Sequence, residues 1–288
     1  MIDQKIFKNL NCPECHADLS YASDKLVCSG CGKLYLVKGN IPCLIENQGK
    51  GFIEKSSDVL INRTKVFFKR CPVLFDILHN IFGASRIGLS AEKAIKDLKE
   101  DKLILNLGSG TKIKRADVVN VDFYPFANVN VVADITKLPF KDNSVDAVIC
   151  ESVLEHMKDP WSALKEMHKV LKLGGLAYVT VPFMAGFHSS PEDYYRWSRE
   201  GLKVLMQEQG FKEIKSGVRH GSTSAVLSIV NDWLATLVSF NSGKLKQVSL
   251  IFLTIITAPL KVLDYFISKF KTSENIAFGF YYLGRKEK

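Results

Sequence analysis

Three groups of residues in this sequence are spaced for chemistry. The first is Cys12, Cys15, Cys28 and Cys31, two Cys-x-x-Cys pairs separated by twelve residues. Each pair offers two thiolates from one tight turn, and two such turns complete a tetrahedral Zn²⁺ site. Cys43, Cys71 and Cys150 stand outside that pattern and read as small buried hydrophobes. The second group begins with Leu103-Ile104-Leu105-Asn106-Leu107-Gly108-Ser109-Gly110. Branched apolar residues run into Gly-Ser-Gly, as in a buried strand ended by a turn where backbone N–H groups approach a ligand with no side chain between. Asp122, twelve residues after Gly110, ends a second apolar strand. A carboxylate at that tip is where an α/β nucleotide site grips ribose hydroxyls. The third group is the polar and aromatic stretch from Phe183 to Ser198, which holds His188, Glu192, Asp193, Tyr194 and Arg196. His188 is the first candidate general base there, His156 in the Glu155-His156 pair is a second, and Glu192, Asp193, Tyr194 and Arg196 are candidate substrate contacts.

The elements that must position these groups follow from pattern. Short strands over 129–132, 144–150 and 176–182 join those ending at Leu107 and Asp122. An amphipathic helix over 161–173 ends at Gly174-Gly175, and Ser198 caps a helix over 199–209. A sixth strand starts at Phe211, and a last one over 277–284 would pair with it antiparallel. The expected fold class is α/β: a Rossmann-like, mostly parallel, seven-stranded sheet with its ligand at the carboxyl ends of the strands. A small N-terminal zinc-ribbon β domain precedes it, and a helical insertion separates the last two strands.

The expected divisions are a zinc ribbon over 1–48, a helical linker or lid over 49–100, and a catalytic domain over 101–288 that contains an apolar insertion over 222–275. Gln48 to Gly51 reads as a linker. Helices are expected over 66–82, with Pro72 as a start signal, Gly83 as a stop and His79 structural, and over 90–100, capped by Ser90. The formal net charge is +9, of which residues 201–288 carry +6 from twelve Lys/Arg and six Asp/Glu. That third is also the most apolar. The run Gln247 to Leu260 is uncharged for fourteen residues, short of the roughly 20 that span a bilayer. The insertion therefore reads as helices that lie on an anionic membrane surface or roof a lipid-binding cleft. The N-terminus lacks the apolar segment of a signal peptide, and an odd cysteine count with Cys-x-x-Cys pairs suits a reducing compartment. The expected location is cytoplasmic, at the inner face of the membrane.

In order along the chain, Asn-Leu-Gly-Ser-Gly, Asn-Val-Asp, Ala-Asp-Ile-x-x-Leu-Pro-Phe, Val-Leu-Glu-His and Leu-Lys-x-Gly-Gly resemble class I S-adenosylmethionine-dependent methyltransferases, above all the ubiquinone/menaquinone type, over about residues 101–220. The resemblance implies that Gly108, Ser109 and Gly110 approach the methionine part of the cofactor. It implies that Asp122 accepts from both ribose hydroxyls, Phe123 flanks the adenine, Asp134 accepts from its amino group and Ile135 packs on the ring. Glu151 would begin the loop that floors the methyl-donor site. Cys-Pro-x-Cys, Cys-x-x-Cys-Gly-x-x-Tyr and Gly-x-Ile-Pro resemble the zinc ribbons of methyltransferase-activator subunits, and Pro-x-Asp-Tyr-x-Arg-Trp resembles methyltransferases encoded beside cell-surface glycan genes. The expected acceptor is a hydroxyl or carboxyl of a lipid-linked or surface glycan, or a prenyl-type lipid.

Two features depart from the pattern. Lys112 stands where the family places a further Gly, and 111–117 is too short for the usual first helix and reads as a loop. Two rival readings are an rRNA base methyltransferase with the ribbon as recognition module and a non-catalytic binding module on the same fold. A ribbon charge of about +1 is a poor electrostatic grip on RNA, so nucleic acid is not the expected partner.

Overall fold

Four short strands, β1 (Leu19–Ala22), β2 (Lys25–Cys28), β3 (Leu34–Lys38) and β4 (Ile41–Leu44), form an antiparallel meander after a single-turn helix, α1 (Gln4–Phe7). Asp3 caps α1 through hydrogen bonds from the Lys5 and Ile6 amides. The protein is described by a computed structural model over residues 2–45, 83–188 and 192–287. The linker at 48–51 and the helices over 66–82, with Cys71, Pro72 and His79, lie outside the described residues.

The central strand β5 (Ile104–Leu107) is buried at all four positions, as a strand with parallel neighbours on both sides must be. Its neighbours are β6 (Val119–Asp122) and β8 (Val145–Glu151), and β7 (Val131–Ala133) flanks β6. Then follow β9 (Leu171–Pro182), β10 (Phe211–His220) and β11 (Gly279–Lys286), with β11 lying antiparallel between β9 and β10. Taken alone, β5 to β11 are the seven strands expected, and the last pairs antiparallel with the sixth.

The sheet does not stop there. Strand β4 pairs in parallel with β7, through Cys43 with Val132 and Leu44 with Ala133, giving one eleven-stranded sheet. This corrects the expectation of a seven-stranded sheet beside a separate small domain. The physical reason is core size. The N-terminal segment is too short to bury its own apolar face, so Leu10, Cys12, Leu26, Tyr35 and Leu44 share one cluster with Ile135, Leu138 and Phe140. Backbone hydrogen bonds from Asn11 to Pro139 and from Lys141 to Asn9 fix the join. Cys43 and Cys150 are buried among apolar neighbours, as small hydrophobes.

Helices flank the sheet. The expected helix over 90–100 is one turn, α2 (Ala91–Ala94), capped by Ser90. After Ile95, Lys96, Asp97, Lys99 and Glu100 surround Leu98 and leave too little apolar face to hold further turns on the sheet. Helix α3 (Pro160–Val170) ends before Gly174, because Leu171 is already extended and β9 begins there. Helix α4 (Arg199–Glu208) is capped by Ser198. Residues 111–117 contain no helix.

The insertion holds α5 (Ser222–Leu237), α6 (Gly243–Thr257) and α7 (Asp264–Ile267), with a 3-10 turn between the last two. Gly243–Ile267 is a 25-residue helical run with a mean hydropathy of 1.8, long and apolar enough to cross a membrane by length and composition. Only the uncharged stretch inside it entered the shorter count. The difference lies in how its charges are held. Asp264 is fully buried and caps α5 from forty residues away, accepting from the Thr223 and Ser224 amides and from the Ser224 hydroxyl at 2.7, 3.2 and 2.6 Å. Lys261 donates to the Gly83 carbonyl at 2.8 Å. With Lys261 and Asp264 turned inward and Lys244 and Lys246 confined to the first turn, Phe252, Ile255, Ile256, Val262 and Phe266 remain exposed on the outer face.

Candidate active site

Gly108 has φ +61°, and a Cβ there would lie 2.5 Å from Val153 Cγ2. Strand β5 therefore ends in a turn that only glycine fits, packed against the loop that follows β8. The Gly110 amide donates to Asp122 at 2.8 Å, and a Cβ on Gly110 would meet nothing within 4 Å, so this turn faces open space. Asp122 also accepts from the Tyr124 amide at 2.9 Å. Ser109 is buried. The expected cofactor residues thus converge at the carboxyl ends of β5 and β6.

Phe123 is 46% exposed and shares a cavity of about 200 Å³ with Asp134. Pro13, Tyr35 and Leu44 form its opposite wall, so the N-terminal segment reaches the site directly. No motif announced this, because it depends on β4 docking on β7. Asp134 accepts from the Thr136 amide and hydroxyl at 2.8 and 2.7 Å, which fixes the turn that buries Ile135. Glu151 is ion-paired with Lys114 and lies 3.8 Å from Arg219 Nη2. Sequence reasoning did not name either cation, since both come from distant segments.

Strand β8 leads through Ser152, at φ +55°, into a 3-10 turn over Leu154–His156. Glu155 in that turn is 0% exposed, and neither of its carboxylate oxygens has a hydrogen-bond partner. His156 Nε2 and His188 Nε2 each lie 3.8 Å from Glu155 Oε1, and the two rings meet edge to face at 5.0 Å. The three groups therefore form one cluster, assembled from residues 33 apart in sequence. Burial acts against a charged His188 imidazole, but the Glu155 carboxylate and the Gly186 carbonyl outweigh it and hold its pKa above the usual value.

The loop that carries His188 is held by Arg196. The guanidinium donates to Asp193, to the Tyr195 carbonyl, and to the Ala185 and Gly186 carbonyls at 3.1 and 2.8 Å. All five of its N–H donors act inside the loop. Asp193 also accepts from the His188 amide at 2.8 Å, and the Tyr194 amide donates to the Glu155 carbonyl at 2.7 Å. Asp193 and Arg196 thus fold the loop around His188, while Tyr194 and Glu192 are paired through the phenol and carboxylate at its exposed edge.

A second cavity, of about 300 Å³, opens beside His188. Phe187 and His188 line one side, and Leu227, Asn231 and Leu250 of α5 and α6 line the other. Asn231 donates to the Thr257 hydroxyl at 2.8 Å, while its buried carbonyl oxygen has no hydrogen-bond partner. In the N-terminal segment, the Cys12, Cys15, Cys28 and Cys31 sulfurs all lie within 4.8 Å of one another. The Gly30 and Cys31 amides point at Cys28 Sγ at 3.4 Å. Burial raises the Cys28 thiol, but these amides and the Cys15 thiol outweigh it and bring its pKa down to about 6.

Residues 108–179 match a family model described as a methyltransferase domain. The chain is 26% identical over 152 residues to the ubiquinone/menaquinone biosynthesis C-methyltransferase UbiE of Coxiella burnetii, covering 51% of this chain and 57% of that protein. A shorter match, 43% identical over 56 residues, is to an uncharacterized methyltransferase of Mycobacterium sp. (strain KMS) and covers 19% of this chain and 22% of that protein. The chain thus spans little more than half the length of the UbiE relatives it matches. Among solved structures it is similar to the [4+2]-cyclase SpnF (TM-score 0.47, 14% identity, 78% of this chain and 95% of that one). It is also similar to a Haemonchus contortus phosphoethanolamine N-methyltransferase 2 (TM-score 0.45, 15% identity, 86% of this chain and 62% of that one). The match to a methyltransferase domain thus runs from the Gly108 turn into β9.

Proposed function

We propose that this chain transfers a methyl group from S-adenosylmethionine to a hydroxyl or carboxyl of a lipid-linked glycan or prenyl-type lipid held at a membrane surface. The observation that carries this reading is the cavity of about 300 Å³ with His188 at one side and the apolar insertion helices at the other. Such a volume suits a small ligand or one end of a larger one. The name of the UbiE relatives, which refers to prenylated quinones, supports the prenyl-lipid arm.

The residues fit the cofactor. Gly108 and Gly110 leave backbone exposed toward open space, Asp122 stands at the tip of β6 for the ribose, and Phe123 and Asp134 flank a cavity for the adenine. The bound cofactor supplies an activated methyl group on a sulfonium, which departs from a neutral thioether. The chain's own part is alignment and removal of the acceptor proton. His188 lines the acceptor cavity, Glu155 and His156 stand behind it, and the three form the activating cluster. Asp193 and Arg196 position His188, and Glu192 and Tyr194 stand where an acceptor enters.

The four N-terminal cysteines hold a structural Zn²⁺. Tetrahedral Zn–S bonds of about 2.3 Å put sulfurs roughly 3.8 Å apart, and the Cys12–Cys31 and Cys15–Cys28 separations of 3.7 and 3.3 Å support that assignment. The exposed face of α5 to α7, with Lys244, Lys246, Lys269 and Lys271 at its ends, rests on an anionic membrane at the cytoplasmic side.

Calorimetric titration of the full chain with S-adenosylmethionine tests the donor assignment. Wild type should bind, and Asp122→Ala should bind at least tenfold more weakly, as expected when a charged hydrogen bond worth about 1.5–3 kcal/mol is lost. A correctly folded wild-type chain that does not bind the cofactor removes the methyltransferase reading and leaves a binding module.

A further inference from the structure

We propose that Glu155, His156 and His188 form a site for a divalent transition-metal ion at the wall of the acceptor cavity. One ligand atom from each residue lies within 4.8 Å of the others. The cluster could instead be a packed ion pair, and four observations on the geometry decide against that.

First, the Glu155 carboxylate is fully buried and has no hydrogen-bond partner on either oxygen. A buried carboxylate without compensation is unfavourable, and a cation resolves it. Second, the tautomers are set from outside. His156 Nδ1 sits 2.6 Å from the Glu192 carbonyl, and His188 Nδ1 sits 3.1 Å from the Gly186 carbonyl. A carbonyl only accepts, so the His156 Nδ1 carries a proton and its Nε2 is turned toward Glu155; at His188 Nδ1 the Gly186 carbonyl at 3.1 Å is closer than the donor Arg196 Nη2 at 3.4 Å and favours the same arrangement. Orientation of a ligand imidazole by a carbonyl on its other nitrogen is the usual support of a metal-bound histidine. Third, the Nε2–Oε1 separations of 3.8 Å are too long for hydrogen bonds. They are close to the roughly 3.4 Å edge that bonds of about 2.1 Å to one tetrahedral ion require. Fourth, the site is open on one side. The His188 side chain is 42% exposed and lines the acceptor cavity, so three protein ligands leave room for water or an acceptor oxygen.

Two imidazoles and one carboxylate select a borderline ion such as Zn²⁺, Fe²⁺ or Co²⁺ over Mg²⁺ or Ca²⁺. The ion would polarise an acceptor hydroxyl and lower its pKa, so that the hydroxyl gives its proton to water in the open cavity and the resulting oxygen anion attacks the methyl carbon as the C–S bond to the thioether breaks; while they hold the ion, the imidazoles act as ligands and not as the base. That role rests on the methyl-transfer reading. The binding itself does not, so it can be measured without cofactor or acceptor.

The test uses the full chain stripped of metal and titrated with Co²⁺, with bound metal counted by elemental analysis after dialysis. Wild type should take up a second equivalent beyond the one held by the cysteines. Its spectrum should add weak visible bands to the intense thiolate charge-transfer bands of the cysteine site. His188→Ala, which alters a half-exposed side chain, should lose the second equivalent and keep the thiolate bands. Glu155→Gln should weaken the second site by more than the about 10–100-fold typical of an outer-shell partner. Circular dichroism and the melting temperature check that both variants fold. A single equivalent in wild type, or a second one unaffected by either variant, overturns the proposal. Failure of cofactor binding with the second metal intact would count against the methyl-transfer reading alone.

Discussion

At the residue scale the site rests on positions that admit one side chain. Gly108 is the clearest, because its positive φ and the 2.5 Å approach of Val153 leave no space for a Cβ. Gly108→Ala should displace the loop after β8 and cost about 1–3 kcal/mol of stability, with loss of cofactor affinity. Chemical denaturation of variant and wild type checks the first, and calorimetry the second. Arg196 is a second such position. Its five donors tie Ala185 and Gly186 to Asp193 and Tyr195, and an ammonium on a flexible stem cannot reproduce a planar fork. Arg196→Lys should therefore raise hydrogen exchange in the described part of that loop while leaving exchange of the β5 to β9 amides unchanged. Equal exchange in the loop would show that Arg196 does not hold it.

At the element scale the insertion is attached through a charge. Asp264 supplies the cap that α5 lacks, since Gly221 at its N-cap has no side chain and a Cβ there would collide with the Asp264 carboxylate. Asp264→Ala should destabilise the insertion by about 2 kcal/mol, the upper range for a lost cap. Exchange protection over α5 should fall first. Uniform loss across the whole sheet would mean that the insertion and the sheet unfold as one unit.

What the sequence made legible was local. The Gly108–Gly110 turn, the Asp122 tip, the cysteine quartet and the Ser198 cap each lie within one short segment, and each sits where its pattern placed it. The contacts that were not legible join segments far apart. Tyr35 reaches the cavity beside Phe123 only because β4 adds to the β7 edge. His188 meets Glu155 only because the end of β9 returns beside the end of β8. Asp264 looked like an interruption of an apolar helix, and its partners lie at the start of another. The one local hint of the metal cluster was the Glu155-His156 pair, which in isolation also describes an ordinary helix start.

At the scale of the whole molecule, one sheet carries the cysteine cluster at one edge and the insertion joins strands at the other. Because the N-terminal segment shares its core with Leu138 and Phe140, removing the Zn²⁺ proposed for the cysteines should lower the melting temperature of the entire chain. A thermal scan with and without a strong chelator checks this. Two separate transitions, with the second unchanged, would show that the segment is energetically independent. Charge on the apolar face should act at the other end. Phe252→Glu should reduce flotation of the chain with anionic vesicles without changing its melting temperature, since Phe252 is exposed.

The most direct measurement of the central claim is the fate of a labelled methyl group. The full chain is incubated with methyl-labelled S-adenosylmethionine and a lysate of the source cells, and the products are separated into lipid, glycan, RNA, protein and small-molecule fractions. The account predicts label in the lipid or lipid-linked glycan fraction, abolished by Asp122→Ala and greatly reduced by His188→Ala. Label in RNA would contradict it and make the N-terminal segment a recognition module.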